Sequence, residues 1–387
     1  MREGWINKKL GDVCQVVTGS TPKTNISEYW DGNYPWVTPA ELKGDVYISD
    51  TARHITEKAI AHTNLTLLPI GTVLLSSRAP IGKVAITTIE MYCNQGFKNL
   101  ICSDAINNKY LYLWLSGKTE YLNSLGRGAT FKEISKTIVE NVIIPLPPLS
   151  IQKSIVTELD KINELIRLKK EQLEDYDNLA QSIFYEMFGD PVVNEKGWEV
   201  KKLGEVCECI TDGDHMPPPK SDTGIPFVTI GNVNKASRQI DFDNTYFVPR
   251  DYFDNIPNIK KPRRGDVLYT VTGSYGIPIL INYDKEFCFQ RHIGLLRPKD
   301  FMSPVFLCMW ALNDRTKGQA DMVATGIAQK TVSLKSLRNF AIILPPLPLQ
   351  QAFAQRIELI EQQKAEIQST IADLETLLAS RMQYWFD

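Results

Sequence analysis

Side chains able to do chemistry fall in a few places along this 387-residue chain, and the most suggestive groupings each lack a part. Asp31 followed by Glu41-Leu42-Lys43 sets two carboxylates and a lysine at a spacing that suits a metal-dependent nuclease. Gly82-Lys83 looks like the end of a phosphate-binding loop. Ser77 stands where the first glycine of that loop is needed, however, and Val84 where a hydroxyl should meet magnesium. There is no NPP(Y/F)-type loop to hold a flipped adenine and no glycine-rich cofactor turn. His54, His62, His215 and His292 share no ligand spacing, and the seven cysteines include no CxxC pair.

What remains is a series of glycine-bearing loops that carry hydrogen-bonding and cationic side chains. The first half offers Thr18, Ser20, Thr21 and Lys23, then Ser77, Arg78 and Lys83, then Gln95 and Lys98, then Arg127, Thr130 and Lys132. The second half offers Thr211 and His215, then Thr272, Ser274 and Tyr275, then Gln290, Arg291 and His292, then Thr325, Gln329 and Lys330. Arginine and lysine suit guanine or phosphate, while hydroxyls, amides and a tyrosine ring suit base edges and faces. These side chains are the candidates for nucleic-acid contact. The glycines among them read as turns that demand positive φ.

The two sets correspond because the chain contains itself twice. Trp5, Lys8, Lys9, Leu10, Gly11, Val13 and Cys14 return in order as Trp198, Lys201, Lys202, Leu203, Gly204, Val206 and Cys207. Gly71, Val73 and Leu74 return as Gly265, Val267 and Leu268, and Cys93 and Gln95 as Cys288 and Gln290. Pro147, Pro148, Leu149 and Gln152 return as Pro345, Pro346, Leu347 and Gln350. The order never breaks and the offset stays between 191 and 198, as one duplicated unit requires. Duplication also weakens the nuclease reading, since Asn232 and Asn234 occupy the places of Glu41 and Lys43.

A hydrophobic fraction of 43% is ample for two cores. No apolar run reaches the roughly 20 residues that span a bilayer, and Met1-Arg2-Glu3-Gly4-Trp5 lacks the apolar core of a signal peptide. The expectation is a cytoplasmic protein with no membrane contact. The recurring cysteines read as small buried hydrophobes in a reducing compartment. The net charge is −2, of which residues 150–187 carry −3 and residues 350–386 carry −2, leaving +3 on the rest. Mildly basic globular parts allow DNA contact with help from a more basic partner.

Each unit divides in two. Short β-like runs such as Val13–Val17, Thr72–Ser76, Lys98–Ile101 and Val142–Ile144, with counterparts Val206–Ile210, Asp266–Val271, Ile293–Arg297 and Ala341–Leu344, predict a mixed α/β domain. One helix is expected in each, Asn108–Leu115 and Pro304–Leu312, carrying Trp114 and Trp310 on an apolar face. A long helix follows each double proline. Its stripe runs Ile155, Leu159, Ile162, Ile166, Leu173, Tyr176, Ala180, Ile183, Met187 in the first, and Phe353, Ile357, Ile360, Ile367, Ile371, Leu374, Leu378, Trp385 in the second, with Lys364 at its edge. Ser150 suits a cap and Pro348 a first-turn position. A rod of this kind, about 57 Å long, cannot bury its stripe alone. Two related rods pack most simply as an antiparallel pair, with Tyr384, Trp385 and Phe386 closing it against the first domain or its linker.

The Pro-Pro-Leu-x-x-Gln junction at Pro147–Gln152 and Pro345–Gln350, the Trp-x-x-Lys-Lys-Leu-Gly opening of each half, and the alternation of globular and helical parts resemble the specificity (S) subunit of type I restriction-modification enzymes. The likeness covers essentially the whole chain, although Ile151 and Leu349 stand where the family usually has an acid before the glutamine. It implies an α+β protein with an internal pseudo-two-fold duplication. Residues 1–147 and 191–345 would be target recognition domains, and 148–190 and 346–387 the central and C-terminal conserved helices.

The same resemblance implies a non-catalytic subunit that reads a bipartite, asymmetric target on double-stranded DNA. The helix pair would set the spacer and dock two methyltransferase subunits, and through them the motor-nuclease subunits. S-adenosylmethionine, ATP and magnesium would be bound by those partners, with no cofactor or metal on this chain. The alternatives are a coiled-coil scaffold without a DNA role and a DNA-cleaving enzyme.

Overall fold

The structure is a computed structural model that describes residues 2, 4–78, 80–128, 132–326 and 329–387. The chain forms two compact units. The first comprises residues 1–169 and 370–387, the second residues 170–369.

The first unit is built on a five-stranded sheet in the order Cys14–Thr18, Lys98–Cys102, Val73–Leu75, Val84–Thr87, Tyr47–Ile48, antiparallel except at its last pair. Its central strands read as unbroken apolar runs because both faces are covered. Val16, Val73, Ile86 and Leu100 face one core, with Tyr110 and Trp114 of helix Asn108–Ser116 and with Ile155 and Leu159 of the first long helix. Val17, Leu74, Ala85 and Phe97 face the other. A second sheet, His54–Ile55, Trp30–Val37, Tyr92–Cys93, and a ribbon pairing Ile6–Lys9 with Ile143–Leu146 complete the unit.

The second unit repeats the plan. Its main sheet runs Cys207–Asp212, Ile293–Pro298, Val267–Thr270, Pro278–Leu280, and its smaller sheet Tyr246–Val248, Ile225–Val228, Cys288–Phe289. Glu199–Lys202 pairs with Ala341–Leu344 as the equivalent ribbon. Helix Pro304–Leu312 buries Trp310 as expected. The expectation of a single helix per domain is corrected, because Thr119–Ser124, Lys136–Asn141, Asp314–Val323 and Leu334–Arg338 are helical as well. Most of these are only one or two turns long, too short for a periodic stripe to emerge. Cys14, Cys93, Cys207 and Cys288 are all buried, and burial pushes the thiols of Cys93, Cys207 and Cys288 up to about 12.

The long helices span Leu149–Phe188 and Leu347–Phe386. The first begins two residues earlier than a Ser150 cap would require. The Pro148 carbonyl accepts from Ile151 N and Gln152 N, so the proline stands at the cap and Ser150 lies in the first turn. Pro348 does occupy the first turn, where its missing N–H goes unneeded. In both units the buried junction glutamine fastens the helix to the domain. Gln152 Oε1 accepts from Asn107 N (2.8 Å), and its Nε2 donates to Ala105 O (3.1 Å) and Pro147 O (2.9 Å). Gln350 does the same to Ser303 N (2.8 Å), Phe301 O (3.4 Å) and Pro345 O (2.8 Å).

The helices run antiparallel. In the second unit Asp177 meets Lys364 at 2.9 Å, while further along Phe184 packs on Phe353, with ring centroids 5.7 Å apart. The stripe holds at Ile155, Leu159, Ile162, Ile166 and Ala180, then passes to Phe184 and Phe188 rather than the expected Ile183 and Met187, which are half-buried. In the first unit Arg381 pairs with Glu158, Trp385 Nε1 donates to the same carboxylate, and Trp385 stacks on Trp5. No helix among the described residues is long and apolar enough to cross a membrane.

Candidate nucleic-acid interface

In each unit four loops are tied into one surface, and glycines make the ties possible. A Cβ on Gly19 would sit 1.9 Å from Asn94 O, and one on Gly213 would sit 1.8 Å from Phe289 O. These two glycines therefore serve close backbone approach rather than positive φ. Gly82 (φ 95°) and Gly276 (φ 90°) do require the left-handed region.

The loop around Arg78 is built identically in both units. Ser76 Oγ donates to Pro80 O and accepts from Lys83 N; Thr270 Oγ1 donates to Ser274 O and accepts from Ile277 N. Ile134 N donates to Ser77 O at 3.0 Å, and Val332 N to Val271 O at 2.8 Å. Arg127 and Glu133 exchange backbone hydrogen bonds of 3.0 and 2.9 Å, as do Thr325 and Thr331 (3.0 and 2.8 Å). Arg78 bridges Glu133 in the first unit where Thr272 bridges Thr331 in the second. One backbone frame thus carries Arg78, Arg127 and Glu133 in the first unit and three threonines in the second.

The candidates divide by exposure. Thr18, Lys23, Arg78, Gln95, Arg127 and Lys132 are exposed in the first unit, as are His215, Arg291, Thr325, Gln329 and Lys330 in the second. Ser20, Thr21, Lys83, Thr211, Ser274, Tyr275, Gln290 and His292 are half-buried. Thr21 is hydrogen-bonded to Gln95, which joins the early loop to the 94–98 turn. Gln290 Oε1 accepts from Ile230 N at 3.4 Å, His215 Nε2 lies 2.9 Å from Asp212, and the Tyr275 hydroxyl donates to Asp321 at 2.8 Å. Thr130 lies outside the described residues.

Three candidates need correction. Ser77 (0% exposed) and Lys98 (4%) are buried, with Lys98 Nζ donating to Ser77 Oγ at 3.2 Å and to Glu133 Oε1 at 3.1 Å. They support the loop from below and present nothing to a ligand. Thr272 is buried too, its hydroxyl 3.4 Å from that of Thr331. His292 remains at the surface, but burial and then the charge of Arg291 lower its pKa, so it is neutral at pH 7.

Sequence reasoning missed Glu133, whose carboxylate joins Lys98 and Arg78 (3.0 Å). Burial opposes its charge, but the two cations outweigh burial and hold it below the usual carboxylate range. The one available signal was an acid directly after Lys132 where the repeat has Thr331. The nuclease grouping is put to another use. Glu41 accepts from Thr38 N (2.7 Å), Thr38 Oγ1 (2.8 Å) and Ala52 N (2.7 Å) as a structural cap. Asn232 caps Thr229 identically at 2.9 and 2.7 Å, which explains why the repeat tolerates an amide there.

Two copies of one α/β module, each followed by a long helix and each carrying a different set of side chains on the same loop frame, make a duplicated protein with two unlike loop surfaces. The family model for the type I restriction modification DNA specificity domain matches residues 2–175 and again 195–375. The chain belongs to that family. It is 33% identical to the type I restriction enzyme MjaIX specificity subunit of Methanocaldococcus jannaschii, across 90% of this chain and 85% of that one. It is 25% identical to the MjaVIII specificity subunit of the same organism, across 93% and 86%. In fold it is similar to a type I restriction-modification S subunit from M. genitalium, with a TM-score of 0.54 and 14% identity over 99% of this chain and 96% of the other.

Proposed function

We propose that the chain is the DNA-reading, non-catalytic specificity subunit of a type I restriction-modification complex in the cytoplasm. Each globular domain reads one half of a bipartite, asymmetric target on double-stranded DNA. The long helices set the spacer between the halves and dock two methyltransferase subunits, through which motor-nuclease subunits join. S-adenosylmethionine, ATP and magnesium belong to those partners in this reading. The observation that carries it is the shared loop frame with different side chains. A frame kept in detail while Arg78, Arg127 and Glu133 become Thr272, Thr325 and Thr331 suits two readers of unlike sequences.

The test is adenine methylation mapping in cells that carry the chain and its cognate methyltransferase, against cells lacking only the chain. One bipartite motif with a fixed spacer should disappear. Unchanged methylation, with a purified chain that neither binds DNA nor captures the methyltransferase, would favour the scaffold instead.

A further inference from the structure

The Glu133 carboxylate divides its two oxygens between two cations of different exposure. Oε1 takes buried Lys98, and Oε2 takes Arg78 Nε at 3.0 Å. The carboxylate is rooted in a fixed backbone, because Glu133 N and O both pair with Arg127. The Arg78 side chain is 48% exposed, and its two terminal nitrogens have no hydrogen-bond partner among the described residues. The guanidinium is therefore held from behind through Nε and offers its end-on fork outward.

That fork has a preferred partner. Two parallel N–H groups match the O6 and N7 acceptors of guanine in the major groove. They also match a phosphate, but a phosphate brought to Arg78 would face the nearby negative charge of Glu133. The two guanine acceptors are parts of a neutral base and meet far less repulsion. We propose that Glu133 is a positioning residue that aims Arg78 at a guanine, and that this loop frame reads guanine in the first domain and not in the second. The second domain has Thr272, Thr325 and Thr331 in the same frame and no guanidinium to aim. The inference rests on the DNA-reading function proposed above and adds to it a base and a pair of residues.

The experiment determines the methylated motif for the full chain with its methyltransferase, for wild type and for Arg78→Ala, Arg78→Lys, Glu133→Gln and Thr325→Ala. Wild type should show a guanine in one half-site. Arg78→Ala and Arg78→Lys should relax that position on the order of ten-fold or more and leave the other positions intact. Lysine keeps the charge but loses the fork, so its failure to rescue separates fork from charge. Glu133→Gln should relax the same position while leaving binding to unrelated duplexes unchanged or stronger. Duplex with 7-deazaguanine at that position should weaken wild type and leave Arg78→Ala indifferent. Thr325→Ala should affect only the other half.

Because Glu133→Gln also disturbs buried Lys98, the surface variant Arg78→Lys keeps the idea refutable if the glutamine variant misfolds. An unchanged motif in both Arg78 variants would overturn the proposal. So would an even loss over all sequences with a salt dependence reduced by about one counterion, the mark of a phosphate contact. If wild type directs no motif at all, the specificity reading itself fails and the proposal falls with it.

Discussion

At the scale of the residue, the junction glutamines show how a single side chain holds a boundary. Gln350 is fully buried and satisfies the buried Ser303 N–H, the buried Pro345 carbonyl and the half-buried Phe301 carbonyl. Replacing it with alanine leaves those groups unpaired, and we expect the second unit to lose about 2–4 kcal/mol in denaturant unfolding. A loss below about 1 kcal/mol would mean that water or a neighbour takes over. This role was not legible beforehand: the repeat marked Gln152 and Gln350 as fixed points but gave no reason for them. The same limit governs the loops. Ser77, Arg78 and Lys98 looked alike as polar loop residues, yet only Arg78 reaches solvent, because the partner that sorts them, Glu133, lies 35 residues beyond Lys98. Burial of a lysine depends on where a distant carboxylate arrives, and local spacing carries no record of that.

Among the elements, the long helices were the most legible, because forty residues without glycine, and without proline beyond the first turn, give a periodic stripe many turns in which to show. The error at Ile183 and Met187 arose where Ile183-Phe184 and Met187-Phe188 put two apolar residues side by side. Neighbours lie about 100° apart on a helix, and either set continues the stripe from Ala180. Packing chose the phenylalanines because Phe306 and Phe353 meet them, with the Phe188–Phe306 centroids 4.8 Å apart. Phe184→Ala is accordingly expected to cost about 3–5 kcal/mol, and Met187→Ala distinctly less, measured by thermal or denaturant unfolding of the second unit. Equal losses would mean that the two faces share the burial. Beside this cluster Asp177 accepts from Arg238 (2.8 Å) and Lys364 (2.9 Å), which overcome partial burial and keep its carboxyl ionised below the ordinary range.

For the whole molecule, the duplication was plain in the sequence and gave the architecture, while the division of charge between the two readers was not. Of the candidate contact residues, Lys23, Arg78, Arg127 and Lys132 are exposed cations on the first unit's loops, against Arg291 and Lys330 on the second's. The second unit also neutralises His292 and ties His215 to Asp212. Among these candidate contacts, electrostatic attraction to DNA should therefore come mainly from the first domain's loops. Lys132→Ala should weaken binding to all duplexes alike and reduce the slope of log K against log salt by about one, whereas Thr325→Ala should leave the slope alone. Titration across a salt series decides it, and an unchanged slope for Lys132→Ala would take that lysine off the phosphate backbone.

The fastening of domain to helix has a further consequence. Apart from the two glutamines, every hydrogen-bonding group in those joints is main-chain amide or carbonyl: Ala105, Asn107 and Pro147 in one, Phe301, Ser303 and Pro345 in the other. These hydrogen bonds ask nothing of the side chains around them, and the rest of each joint is apolar packing. A domain that brings the same loop, the same double proline and an equivalent apolar face to the helix will fit, whatever it carries on its far loops. In the DNA-reading function proposed above, such a joint would let one domain be exchanged or drift without redesigning the attachment.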